Sequence, residues 1–351
     1  MATKNRTNLP HLSVVVPNAA RQNFRDTQSL DLEFDDSVEA GDPLQQRERE
    51  RQAAIHGTPQ DRINYLLTRV FIRTPDFIYA VSAIEQLLNH AGIFPNSGGI
   101  RIIAAGGKGK DAIVRYFVEK YSPRRRGNTF FCPILHVNFR ERLATADILK
   151  HLLQQLQCVH SISHSNSVLE DILLEAMIVC QVRGILFNES QHLVYVAQYG
   201  KRSAARLAGG SGDWLKGFLD KAKRPAIFFG VPGWDEVFEM DQQLKTRVPH
   251  RYEFSKIGFD AVFIAMLRAL DEAMAMPEPA GLDEKTLAWD IYQVTKVDEE
   301  ANWRQLIQLM SGAIFSASQA GMPRIERPDL SWSCQFYFGA QKNPFGPPRK
   351  L

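Results

Sequence analysis

Apolar residues recur every three or four positions over two early stretches. These are Ile63, Leu66, Leu67, Val70 and Phe71, then Phe77, Val81, Ile84, Leu87 and Leu88. The period predicts two amphipathic helices joined near Thr74-Pro75. A turn-rich break at Pro95-Asn96-Ser97-Gly98-Gly99 ends them. Beyond it, short continuous apolar runs alternate with helical periods. Ile100–Ala104, Thr129–Val137, Gly184–Phe187 and Ala226–Gly230 read as strands. Asp111–Tyr121, Ile148–Leu156, Val168–Val179 and Asp213–Ala222 read as helices. Strands that are apolar on both sides and separated by helices imply a parallel sheet covered on both faces. From Phe259 the pattern is helical, with Phe259–Met274, Lys285–Val294 and Trp303–Gly321 divided by Pro277-Glu278-Pro279-Ala280-Gly281.

The two ends break this pattern. Residues 1–55 carry seven basic and nine acidic side chains and no sustained apolar period, which reads as a flexible appendage. Residues 326–351 hold Trp332, Phe336, Tyr337, Phe338 and Phe345 among prolines and glycines. Such a tail does not fold alone, and its aromatics need something to cover them, on its own chain or on a partner. The expected organisation is an appendage (1–55), an α/β core (56–255), a helical lid (256–325) and an aromatic tail (326–351).

Composition narrows the class of protein. The chain has 351 residues, 44% of them hydrophobic, and a net charge of +3. A polycation is therefore excluded, and nucleic-acid binding would need a local patch. No window of about 18 apolar residues offers a membrane span. The four cysteines, Cys132, Cys158, Cys180 and Cys334, are far apart and form no CxxC, so neither a disulfide scaffold nor a zinc site is expected. A reducing cytoplasm is the simplest setting.

Ile102-Ile103-Ala104-Ala105-Gly106-Gly107-Lys108-Gly109-Lys110-Asp111 places a strand, a glycine-rich turn, a Gly-Lys pair and a helix in succession. That is the order a phosphate-binding loop requires. Glycines let backbone N–H groups approach phosphate, the helix N-terminus favours anions, and Lys110 reaches the terminal oxygens. Against GxxxxGK[ST] the stretch departs twice, with Ala104 for the first Gly and Asp111 for the Ser or Thr that ligates Mg²⁺. A second stretch, Arg183–Leu193, is an apolar strand ending in Asn188-Glu189, where ATP hydrolysis wants Asp-Glu. A third is the strand Pro225–Gly230, followed by Val231-Pro232-Gly233-Trp234 and then Asp241–Val248 with Arg247.

Loop, acidic strand end, third strand and downstream arginine follow the order of an AAA+ module. Over roughly residues 58–326 the sequence resembles the TniB/TnsC-type AAA+ ATPases that regulate DNA transposition, relatives of MuB. Gly109–Phe117 is similar to that family's GKT-x-IVRRF, Gly184–Leu193 to LLIIDE-x-HHL, Arg224–Pro232 to IPIVLVGTP and Asp241–Val248 to D-x-QL-x-x-RF. Trp303–Ile325 is similar to the family's lid helix and its closing GxxRI element. The resemblance implies a P-loop α/β AAA+ fold, a parallel sheet sandwiched by helices and followed by a small all-helical lid. It implies ATP held by Gly106, Gly107, Gly109 and Lys110, Glu189 as catalytic carboxylate, Arg247 as the finger toward a neighbour's nucleotide, and Arg304 as the lid's sensor arginine. The implied partners are double-stranded DNA, a transposase, a target-site selection factor and further copies of the chain in a ring or filament.

The departures fall on chemistry: Ala104, Asp111, Asn188, and Val231 in place of a polar sensor residue. Each lost transition-state contact costs about 2.7–4 kcal/mol, by analogy with an oxyanion-hole donor. Two readings follow, a nucleotide-dependent adaptor in transposition or a non-hydrolysing scaffold of the same fold. Asp111 and Asn188 also admit two readings. Either a carboxylate lost at 188 is regained at 111, keeping Mg²⁺ there, or both positions have drifted. For DNA the candidates are Arg124, Arg125 and Arg126 and the basic stretch 200–224, in particular Lys201, Arg202, Lys221 and Lys223.

Overall fold

Three helices lead into the sheet: α1 (Pro43–Ile55), α2 (Pro59–Arg69) and α3 (Pro75–Asn89). Thr58 and Thr74 cap α2 and α3 through their hydroxyls, each followed by a proline at the first helical position. That pairing satisfies an orphan N–H and fixes the helical φ in advance. The computed structural model describes residues 43–91, 93, 98–127, 129–139, 143–158, 164–196, 205–207 and 209–350. Arg47–Leu351 make one compact unit, and of the unit Met1–Gln46 only the start of α1 is described.

The core then runs β1 (Gly99–Ile103), α4 (Lys110–Lys120), a hairpin of β2 (Arg124–Arg126) and β3 (Thr129–Phe131), β4 (Ile134–Asn138), α5 (Thr145–Gln155) and α6 (Asn166–Val179). It continues through β5 (Gly184–Asn188), a small hairpin of β6 (Val194–Val196) and β7 (Ala205–Leu207), α7 (Gly209–Ala222) and β8 (Ala226–Gly230). Short helices α8 (Glu236–Met240) and α9 (Gln242–Arg247) precede the edge strand β9 (His250–Glu253). The sheet order is β4-β5-β8-β1-β9, with every pairing parallel.

Alternation along the strands divides the core in two. Leu186, Ile227 and Phe229 face α3 and α4, together with Ile100, Ile102, Ile113 and Phe117. Ile185, Phe187 and Phe228 face the other way, onto α5, α6 and α7. Burial on both faces is what the continuous apolar runs predicted. The expected strand Thr129–Val137 is two strands. Pro133 falls between them, lacks an N–H for a ladder, and offers its carbonyl to the N–H of Arg183.

Four helices make the second layer: α10 (Ala261–Ala273), α11 (Lys285–Thr295), α12 (Trp303–Gln319) and α13 (Arg327–Phe338). A two-residue-strand hairpin, β10 (Lys296–Val297) with β11 (Glu300–Ala301), leads into α12. Leu66 of α2 and Val70 just after it pack into this helical cluster rather than onto the sheet. The segment expected as an aromatic tail folds as α13 against α12, with Leu330 and Cys334 fully buried. Its far end is fastened where Arg349 Nε donates to Asp329 Oδ1 at 2.5 Å and Ser316 Oγ donates to the same oxygen at 2.8 Å. At the opposite end of the chain, Ala54 and Ile55 pack on Ala275, and Arg51 donates to the Met274 carbonyl at 3.0 Å.

Candidate functional site

The parallel arrangement sets the C-terminal ends of β1, β5 and β8 at one edge, where ligands of open α/β sheets bind. After β1 the chain turns through Gly106 and Gly107 and enters α4 at Gly109. Gly107 and Gly109 have φ of +77° and +92°, a region an L side chain occupies only under strain. Gly109 caps α4 with no side chain of its own, so the first N–H groups of that helix lie open to an anion. Lys110 is 5% exposed, and its Nζ donates to the Ala104 carbonyl at 2.8 Å. Burial lowers its pKa, while Glu189 and Asp111 oppose that shift and Arg304 adds to it. Two carboxylates and the arginine at the start of α12 therefore lie within electrostatic reach of one lysine.

β5 ends in Asn188, 4% exposed, which pairs in register with Asn138 of β4. Asn188 Nδ2 donates to Asp111 Oδ1 at 3.1 Å and lies 3.5 Å from Asn138 Oδ1. The Asp111 carboxylate can only accept, which turns Nδ2 of Asn188 toward it and leaves Asn188 Oδ1 buried without a partner. Glu189 follows with φ of +55°, an uncommon conformation for a non-glycine residue and a frequent one at functional sites. Its carboxylate accepts from Gln191 Nε2. Val231, after β8, is half-buried and supplies no polar group.

The lid closes on the glycine turn from residues the sequence reading had not singled out. Asn302 caps α12 by accepting from Gln305 N–H, and its Nδ2 donates to the Gly106 carbonyl at 3.1 Å. Trp303 N–H donates to the Gly107 carbonyl at 2.7 Å. Glu300 of β11 pairs with Lys108 and with Lys256, the latter at 3.0 Å. Beside the turn opens a narrow slot, lined among others by Ile72, Asp76, Gly109, Ser255, Met266 and Trp303. Asp76, itself 4% exposed, accepts from Tyr252 Oη at 2.7 Å and from Ser255 N–H at 3.2 Å. A mostly apolar slot with one polar corner, next to a phosphate-type loop, suits a flat heteroaromatic base. The only signal for it in the sequence was a lone acidic residue in the first turn of α3.

The remaining candidates are dispersed. Arg247, at the end of α9, forks onto Asp220 of its own chain, with Nε 2.7 Å from Oδ1, and that pair raises its pKa. Arg304 is exposed in the first turn of α12. Arg124, Arg125 and Arg126 are exposed on β2, and Arg125 lies over Phe130 and donates to Gln157. Lys221 pairs with Glu170 at 2.6 Å, and Lys223 is exposed. Lys201 and Arg202 lie outside the described residues.

A glycine turn between a central strand and a helix, a buried lysine and a carboxylate at the end of a nearby strand define a P-loop AAA+ module with a helical lid. Solved structures share this fold. Cdc6p from Pyrobaculum aerophilum superposes with a TM-score of 0.55 at 15% identity, over 77% of this chain and 70% of that one. The ORC2 protein of Aeropyrum pernix, in ADPNP–ADP complexes, gives 0.54 at 13% over 80% and 71%. The ORC1 protein of Aeropyrum pernix, in complex with DNA, gives 0.50 at 13% over 78% and 68%. No curated protein sequence matches the chain. The profile of the bacterial TniB protein family matches residues 62–254, more than half of the chain, and the chain belongs to that family.

Proposed function

We propose that this TniB-family protein is a nucleotide-dependent AAA+ regulator of DNA transposition. It binds ATP with Mg²⁺ at the glycine turn, associates with double-stranded DNA as an oligomer, and links a target-site selection factor to a transposase. The observation that carries the nucleotide part is Lys110. A lysine 5% exposed, tied to a loop carbonyl at the start of a helix whose first N–H groups have no side-chain cap, is an anion site with its charge already desolvated. The phosphates fit Gly106, Gly107, Gly109 and Lys110, the base fits the slot beside Asp76, and Glu189 polarises the attacking water. Arg304 of the lid serves the terminal phosphate. The ORC2 relative is seen with ADPNP and ADP, and the ORC1 relative with DNA, which motivates both ligands here.

The experiment is equilibrium binding of fluorescent ATP, followed by phosphate release with and without duplex DNA. Lys110→Ala weakens binding, and Glu189→Gln leaves binding intact while stopping release. Equal binding by wild type and Lys110→Ala would overturn the assignment.

A second reading, a non-hydrolysing scaffold, is favoured by two contacts. Arg247 is engaged by Asp220 within its own chain, and Glu189 is engaged by Gln191. Tight ATP binding with no phosphate release at any DNA concentration selects that reading.

A further inference from the structure

Asp111 stands where a phosphate-binding loop ordinarily offers Ser or Thr to the nucleotide's cation, Asn188 stands where an aspartate is ordinary, and the structure brings the two side chains into contact. Their hydrogen bond is 3.1 Å, Asn188 donating. An aspartate at both positions would set two carboxylates about this far apart, a juxtaposition that disfavours joint ionisation. Asparagine at 188 removes the conflict and holds the one remaining carboxylate in place.

Asn188 also retains a buried carbonyl oxygen with no partner. An unmade hydrogen bond of this kind costs about 1–3 kcal/mol, whereas an apolar side chain of similar size costs nothing of the sort. A site that had merely lost its use gives no reason to keep that cost. A spare acceptor beside a carboxylate, at the head of a phosphate-type loop, is a donor set for a hard cation and its water shell.

Resting on the nucleotide reading above, we infer that Asp111 is the anionic ligand of the divalent cation that accompanies the nucleotide. Asn188 is a positioning residue that orients Asp111 and offers Oδ1 to the ion's water. The negative charge of the cation site thus sits on the helix α4 side of the cleft rather than at the end of β5. Asp111 is exposed and held on one oxygen by Asn188, which leaves its carboxylate accessible to an arriving ion.

The test measures fluorescent-ADP affinity for the full chain in Mg²⁺ and in EDTA, and reads the ratio of the two. Variants are Asp111→Ser, Asn188→Leu, Asn188→Asp and the double Asp111→Ser/Asn188→Asp. Affinity in EDTA reports the loop and the fold, and it serves as each variant's own reference for the Mg²⁺ ratio. Mg²⁺ tightens wild-type binding, and Asp111→Ser abolishes that enhancement. Asn188→Leu reduces it about 10–100-fold, the usual cost of losing a partner behind a metal ligand. The double variant, with the carboxylate returned to position 188, regains it. Mn²⁺ in place of Mg²⁺ gives an independent readout, since electron paramagnetic resonance counts protein-held ion directly. Retained enhancement in Asp111→Ser, or a double variant no better than that single, overturns the inference. Wild type binding ADP equally well in Mg²⁺ and EDTA overturns it while sparing the nucleotide reading. Failure to bind ADP in either condition overturns both.

Discussion

Gly107 is the point where the glycine turn and the lid press on each other, and Gly107→Ala tests that contact. A Cβ at 107 would lie 2.3 Å from Asn302 Oδ1 and 2.7 Å from its Nδ2, so the Asn302 carboxamide must leave. That same group caps α12 and donates to the Gly106 carbonyl. An alanine at φ of +77° adds strain of its own. The left-handed conformation costs about 1–2 kcal/mol and loss of a helix N-cap about 0.5–2 kcal/mol, for roughly 1.5–4 kcal/mol in all. Gly106 is the built-in control. A Cβ there meets nothing within 4 Å, and its φ is not positive, so Gly106→Ala is expected within about 0.5 kcal/mol of wild type. Thermal unfolding without nucleotide separates the two, with a fall of roughly 3 °C or more for the first and little change for the second. Equal midpoints for the two variants would falsify the docking of the lid on the loop.

Other perturbations follow from single contacts. Arg349→Ala strips the guanidinium from Asp329, which is wholly buried, and lowers stability by on the order of 3 kcal/mol in denaturant titration, with Arg349→Lys recovering part of it. Lys245 and Arg101 hold the Glu239 carboxyl at about 2, below its usual 4.5. Because that pKa is depressed in the fold, its contribution is complete above pH 4.5 and is lost as the pH falls toward 2, and Glu239→Gln flattens the stability profile in that window. Arg247→Ala breaks a solvent-facing ion pair and shifts stability by no more than about 1 kcal/mol, so a collapse of DNA-stimulated phosphate release in that variant marks a role toward a neighbouring subunit. Replacing Arg124, Arg125 and Arg126 together by alanine lowers the slope of log affinity for duplex DNA against log salt by up to about 3, and an unchanged slope removes the β2 hairpin from the interface.

The sheet was legible because its central strands are buried on both faces and therefore read as unbroken apolar runs. β9 was not, since His250–Glu253 is a largely exposed edge strand whose polar sequence is placed by its ladder to β1 and by distant partners such as Asp76 under Tyr252. α13 was hidden for a related reason. Its sequence mixes aromatics with serines, and what makes it a helix is the reciprocal Glu326–Asp329 capping and the α12 surface beneath it. In the site, Lys110 opens α4 and Asn188 closes β5, positions that motif spacing marks in the sequence, whereas the direct contact of Asn188 with Asp111 is visible only in the fold. Asp76, Glu300 and Asn302 left no such trace. Each acts on a loop between about 30 and 200 positions away in the chain, and no local period encodes that.

The two lid bonds to the glycine turn also decide where its amide hydrogens aim. In a trans peptide the carbonyl and the N–H point in opposite directions. Holding the Gly106 and Gly107 carbonyls toward Asn302 and Trp303 therefore turns the N–H groups of Gly107 and Lys108 away from α12. Any acceptor taken by those N–H groups polarises the same two peptide units and strengthens their pull on the lid. Three consecutive residues of backbone thus act as a two-faced relay, in which occupancy on one side is felt as grip on the other.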